Sequence, residues 1–80
     1  MSVSTDPLRI WHFSIEDENG DNHDITPDGR PIILRRGPAS RLAQQLADEY
    51  ETKTGGLVLK VVYESQGKAS PDAEPWPREF

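Results

Sequence analysis

The sequence predicts a small α+β fold: a three- to four-stranded, mainly antiparallel sheet with one helix packed on one face, in the order β-(β)-β-α-β. Three observations carry it. Leu8–Ile15 alternates at period two, Ala39–Tyr50 carries an apolar stripe at helical period, and Leu57–Glu64 alternates again. One helix layer on one sheet layer leaves a single small core.

The elements follow in order. In Leu8–Ile15, Trp11, Phe13 and Ile15 fall on one side, and His12 and Ser14 on the other. Aromatic and β-branched residues at this period make a half-buried strand, with the Trp11 side inward. Asn19-Gly20 follows and favours the positive-φ positions of a tight hairpin. The return segment Asp21–Thr26 has poor strand propensity, so a short or irregular edge strand is expected. Pro27-Asp28-Gly29 is a second turn. Ile32–Arg35 makes another short strand, with Pro31 at its start, where a missing N–H does least harm.

Gly37-Pro38 marks a helix entry, with Pro38 expected at the first helical position. Ala39, Leu42, Ala43, Leu46, Ala47 and Tyr50 then form one stripe. The helix is expected to end near Lys53, capped by Gly55-Gly56. In the last strand Leu57, Leu59, Val61 and Tyr63 are assigned to the helix side, because the alternate set includes Lys60 and Glu64. The expected core is Trp11, Phe13, Ile15, Leu42, Leu46, Tyr50, Leu59 and Val61. Residues 1–7 read as an N-terminal arm, 8–64 as the single domain, and 65–80 as a Pro-rich tail, extended or disordered. Trp76, between two prolines, and Phe80 are its aromatic residues. Trp76 either docks on a partner or folds back over the open face of the sheet.

Composition narrows the chemistry. With no cysteine among 80 residues, there are no disulfides, thiolate metal sites or Cys nucleophile. The net charge of −5 argues against a general nucleic-acid binder and suits a basic partner. The amino-terminal residues lack the basic-then-apolar pattern of a signal peptide, and no apolar run approaches the roughly 20 residues of a membrane span. A cytosolic location is therefore expected.

Charge is unevenly spread. Glu16, Asp17, Glu18, Asp21, Asp24 and Asp28 place six carboxylates in thirteen residues without a Lys or Arg. Asp17, Asn19 and Asp21 match the first three ligand positions of a calcium loop. Asn22 then stands where glycine is needed and Asp28 where a bidentate Glu is needed, so the pattern fails. A solvated hairpin loop and an acidic contact surface are the other two readings. Arg30, Arg35, Arg36 and Arg41 occupy twelve residues that hold no acid. They suit a phosphate or carboxylate, or pairing with the acidic loop. Taking those four arginines out of the overall −5 leaves −9 on the rest, so an electrically polar molecule is expected.

Catalytic signatures are missing. His12 and His23 lack the i, i+3 or i, i+4 spacing of a zinc site. Ser14, Ser40, Ser65 and Ser70 lack a nucleophile elbow. Gly55-Gly56 closes a helix rather than opening one, so it is no phosphate loop. No enzymatic activity, cofactor or metal is expected.

The short cysteine-free chain, the strand–strand–helix–strand core Leu8–Glu64 and the carboxylate run Glu16–Asp28 together resemble small phage-encoded inhibitors of host defence, anti-CRISPR proteins in particular. The most specific form of this resemblance is an anti-CRISPR against a type I surveillance complex, type I-C being the version favoured. It implies stoichiometric binding in the host cytosol, by a monomer or weak dimer, to a ribonucleoprotein whose DNA-binding surface is basic. Target DNA is blocked, with no direct contact between the chain and nucleic acid. The arginine block departs from an all-acidic DNA mimic and suits steric blocking. An interaction module or minor phage structural protein using the tail or a sheet edge is the other function in view.

Overall fold

The computed structural model describes residues 7–77. The expectations for the arm before Pro7 and for Phe80 lie outside them. Strand β1 (Arg9–Asp17) is the centre of a four-stranded antiparallel sheet with β2 (Asn22–Asp24), β3 (Ile32–Leu34) and β4 (Val58–Lys68). Helix α1 (Arg36–Thr54) covers one face. The α+β architecture is the one the periodicities predict.

β1 is bonded along both edges. β4 pairs with it from Arg9↔Lys68 to Asp17↔Val58. On its other edge β2 takes Ser14–Glu16 and β3 takes Arg9–Trp11. Between those two short strands the ladder is closed by Ile25 and Thr26. Phe13 O accepts from Ile25 N–H at 3.0 Å and from Thr26 Oγ1 at 3.1 Å, while Phe13 N–H donates to Thr26 Oγ1 at 2.8 Å. One hydroxyl thus replaces a backbone partner at a fully buried residue. The weak strand propensity of Asp21–Thr26 is offset by this side-chain pairing.

The first turn differs from the tight hairpin expected of Asn19-Gly20. Among the described residues only glycines have positive φ, so Asn19 does not. Asp17 O accepts from Gly20 N–H and Asp17 N–H donates to Asp21 O, with Gly20 at φ +83°. The loop is one residue longer than a two-residue turn, and one glycine at a left-handed position suffices.

Inside lie Trp11, Phe13, Ile15, Ile32, Leu34, Ala39, Leu42, Ala43 and Ala47. Trp11 Nε1 donates to Leu34 O at 2.8 Å, which satisfies the indole while its ring packs beside Tyr63. The three buried alanines let α1 lie close to the sheet, and Leu46 and Tyr50 sit half-buried beside it. The expected core is corrected at Ile32 and Leu34, which belong to it, and at Leu59, which does not: 60% of Leu59 is exposed. The reason is a β-bulge. The register steps from Glu16↔Lys60 to Asp17↔Val58, leaving Leu59 unpaired. A one-residue step moves every side chain beyond it to the other face. Val58 therefore takes the helix side that strict alternation assigns to Leu57 and Leu59. A second bulge at Gln66 sits beside Gly67, whose φ of +127° suits glycine.

α1 starts two residues before Pro38, with extended Arg35 as its N-cap and no side chain capping it. It ends at left-handed Gly55, whose N–H donates to Glu51 O. Glu51 Oε2 accepts from Val58 N–H at 2.9 Å and ties the helix exit to β4. β4 itself continues past Glu64 to Lys68. The chain then passes the start of β1 with Ala69 N–H donating to Leu8 O, turns at Ser70–Ala73 with Ala73 N–H donating to Ser70 O, and reaches the free edge of β3. There Trp76 and Ile33 exchange two backbone hydrogen bonds, at 2.8 and 2.9 Å. Trp76 is half-buried against the core.

Thr26→Val keeps the shape of the side chain but leaves the buried Phe13 amide without its acceptor. It is expected to destabilise the fold by about 1–3 kcal/mol in urea denaturation. Thr26→Ser, which keeps the hydroxyl, is expected to avoid most of that loss.

Candidate functional site

The pairing register separates the two charge clusters. Asp17 and Arg9 are the ends of a nine-residue strand, roughly 26 Å apart at ~3.3 Å per residue. The Glu18–Asp21 turn lies beyond the Asp17 end. Leu34 pairs with Arg9, so Arg35 and Arg36 lie at the opposite end. α1 starts there and runs back, roughly 28 Å at ~1.5 Å per residue, to the acidic end. Arg36 and Arg41 lie in its first half, and Asp48, Glu49 and Glu51 in its second. The two clusters, an acidic and a basic pole, thus lie at opposite ends of the sheet, with Asp72 and Glu74 of the tail passing the arginine end and Lys53 and Lys60 lying towards the carboxylate end.

The acidic residues do different work. Asp17 is only 15% exposed, because the turn folds around it. Its Oδ1 accepts from the amides of Asn19 and Asp21 at 2.9 and 3.0 Å, and its Oδ2 faces His23 Nε2 at 2.7 Å. The hydrogen bond from His23 first, and the two amides with it, hold its carboxyl below the ordinary aspartate range. His23 in turn lies against Tyr50 of the helix, ring centroids 5.5 Å apart. Asp24 accepts from Thr26 N–H at 2.9 Å and faces His12 Nε2 at 3.2 Å. The bonds with Thr26 first, then His12, lower its carboxyl pKa too.

Asp17 and Asp24 are therefore turn-forming residues as well as charges. Glu18, Asp21 and Asp28 are exposed, and Glu16 is half-buried on the sheet face turned away from α1. The three residues that match a calcium loop, Asp17, Asn19 and Asp21, instead form an Asx-type turn in which carboxylate oxygens bind backbone amides. Among the described residues no three His, Asp or Glu side chains converge as ligands. His12 and His23 are each held by an aspartate, on opposite faces of the sheet. Ser65 and Ser70 hydroxyls accept from the amides of Gly67 and Asp72.

At the basic pole, Arg30 lies over the Trp76 ring, 4.0 Å from its centroid. Arg35 and Arg36 open the helix, and Arg41 is exposed on it. No ion pair of Arg30, Arg35 or Arg41 with the acidic loop is present among the described residues. Trp76 is held on its backbone by Ile33 and on its ring by Arg30. The tail anchor is thus bound to its own sheet.

Other charged residues stand outside the two clusters the sequence marks, and three of them add to the cluster nearest them. Asp48 and Glu49 extend the acidic pole along the helix, and Arg9 extends the basic one. Helical phase places the first two on the solvent side, but only the strand register shows which end of the sheet they reach. An open groove of about 360 Å³ lies between Ile25, Pro27, Leu46 and Tyr50, with Glu49 and Lys53 at its rim. No described helix is long and apolar enough to cross a membrane.

No protein-family model, curated protein or solved structure matches this chain.

A depressed carboxyl pKa stabilises the fold above the ordinary aspartate value of about 3.9, and that contribution is lost as pH falls through the folded value. Stability is therefore expected to drop on acidification below about pH 4. Asp17→Asn is expected to lower stability at neutral pH and to flatten this acid limb, measured by thermal unfolding across pH.

Proposed function

We propose that this chain is a non-enzymatic binding protein that occupies a basic, nucleic-acid-binding surface of a larger assembly. The single observation that carries this reading is the separation of the two charge clusters to opposite ends of the sheet. A helix favours acids in its first turn and cations in its last, each by about 0.3–1 kcal/mol. α1 has no acid in its first turn and opens on Arg36, and Asp48, Glu49 and Glu51 gather towards its C-terminal end, with Lys53 the one base in its last turn. Glu51 binds Val58 N–H and Lys53 suits the last turn, but Arg36 opposes the helix dipole and the exposed Asp48 and Glu49 gain nothing from it.

Glu18 and Asp21 project at the tip of the acidic pole, backed by Glu16 and held by the Asp17 turn. Carboxylates on a short rigid turn can meet Lys and Arg side chains that otherwise hold phosphates. The turn is already bonded internally, so little ordering entropy is lost on contact. The basic pole would face away, and the bulk of the domain would keep target DNA from sharing the surface by steric exclusion. The resemblance to anti-CRISPR proteins names the assembly: a type I surveillance complex, type I-C first among them, in the host cytosol.

Adding the chain to purified type I-C surveillance complex is expected to abolish its binding to target DNA in a mobility-shift assay. Glu18→Lys with Asp21→Lys, which leaves Asp17 in place, is expected to weaken the inhibition by at least on the order of tenfold. Raised salt should weaken it as well. Inhibition that survives both changes would remove the acidic pole as the contact. No inhibition at all would remove the assembly.

A further inference from the structure

β1 is paired on both edges, but β4 is paired on one. Its outer edge meets no strand among the described residues. An edge this long is a template for another strand unless something blunts it. The two bulges, at Leu59 and Gln66, bound a regular stretch, Lys60–Ser65, whose register with β1 runs unbroken from Glu16↔Lys60 to Trp11↔Ser65. Val61 and Tyr63 of that stretch pack on the core. Lys60, Val62 and Glu64 alternate with them and lie on the open face away from α1.

We propose that β4 pairs antiparallel with β4 of a second copy of this chain, about a two-fold axis through Val62. This register places Lys60 opposite Glu64 of the second copy and Glu64 opposite its Lys60, with the two Val62 side chains between. Val61 falls opposite Tyr63 of the second copy on the core side. Sliding one copy by two residues either way sets both charges opposite uncharged side chains, so charge selects the register. Among the described residues neither Lys60 nor Glu64 has an ion pair within its own chain.

The wider face supports the same register. Glu16 lies beside Lys60 and His12 beside Glu64 in the monomer. Across the joined sheets, Glu16, Lys60 and Glu64 of the second copy form one row of alternating sign, continued by His12 of the second copy, whose Nε2 faces Asp24. The two-fold axis repeats the row in the opposite sense. Leu59, exposed at its bulge, comes beside Ser65 of the second copy and loses water contact. Pairing uses the β4 edge of both copies. The opposite edge of the sheet is partly covered by Trp76, so assembly closes at two. This inference does not depend on the acidic pole or on its target.

The test is sedimentation velocity of the full chain over a concentration series. The wild type is expected to dimerise. Lys60→Glu and Glu64→Lys, each checked for fold by circular dichroism, set like charges opposite each other. Each is expected to raise the dimer dissociation constant on the order of tenfold. Mixing the two variants in equal amounts restores opposite charges at both positions and is expected to restore the dimer. The double variant K60E/E64K is expected to dimerise as the wild type does. A wild type that stays monomeric throughout overturns the proposal and leaves the edge to a strand of a different protein. So does a Lys60→Glu chain that dimerises as the wild type does, or a mixture that stays monomeric.

Discussion

Strand β1 must satisfy hydrogen bonds on both edges while its inner side chains fill the core, and the rest of the structure depends on how it does so. β4 alone completes one edge. The other is completed in three pieces, by β3, by β2, and between them by the Thr26 hydroxyl on Phe13. Two three-residue strands could not align by themselves, because each adds few bonds for the backbone order it costs. Thr26 joins them across the one position where a buried amide would otherwise lack a partner. Phe13, Ile15 and Trp11 can then be withdrawn from water in a chain with little core to spare.

The two aspartate–histidine pairs extend that constraint to the polar groups. Asp24 turns the chain into Thr26 and faces His12 on the open side of the sheet. Asp17 turns the chain into Asp21 and faces His23 on the helix side. Each carboxylate thus does local work on the backbone and then reaches one imidazole. The acidic run is therefore only partly a free surface. Asp17, its most buried member, sets the shape of the turn, and Glu18 and Asp21 inherit a fixed position from it.

Charge separation follows from the same topology. β3 ends and α1 begins at the Arg9 end of β1, whereas α1 ends and β4 begins at the Asp17 end. Every residue of the helix is thereby assigned to a pole by its distance along the axis. Arg36 stands against the helix dipole whereas Lys53 accords with it, and the two charge clusters end up at opposite ends of the sheet. The central sheet face between them carries mixed charge, which suits pairing between copies rather than attraction to a single-sign surface.

Much of this was legible in the sequence alone. The helix showed through its stripe from Ala39 to Tyr50, β1 through Trp11, Phe13 and Ile15, and the two charge clusters through composition, because these are local patterns set by periods of 3.6 and 2 and by residue type. What only the tertiary structure decided are the non-local facts. A bulge is invisible in a period-two pattern, so the exposure of Leu59 and the inward turn of Val58 emerge only when β4 is laid against β1. Ile32 and Leu34 became core because β3 sits beside Arg9–Trp11, a pairing no short run can announce. Asp17 looked like a surface charge until the turn folded two amides and His23 onto it. Trp76 found its place only when the chain had returned to β3. Local chemistry determined which elements form; long-range hydrogen bonding determined which side chains they hide.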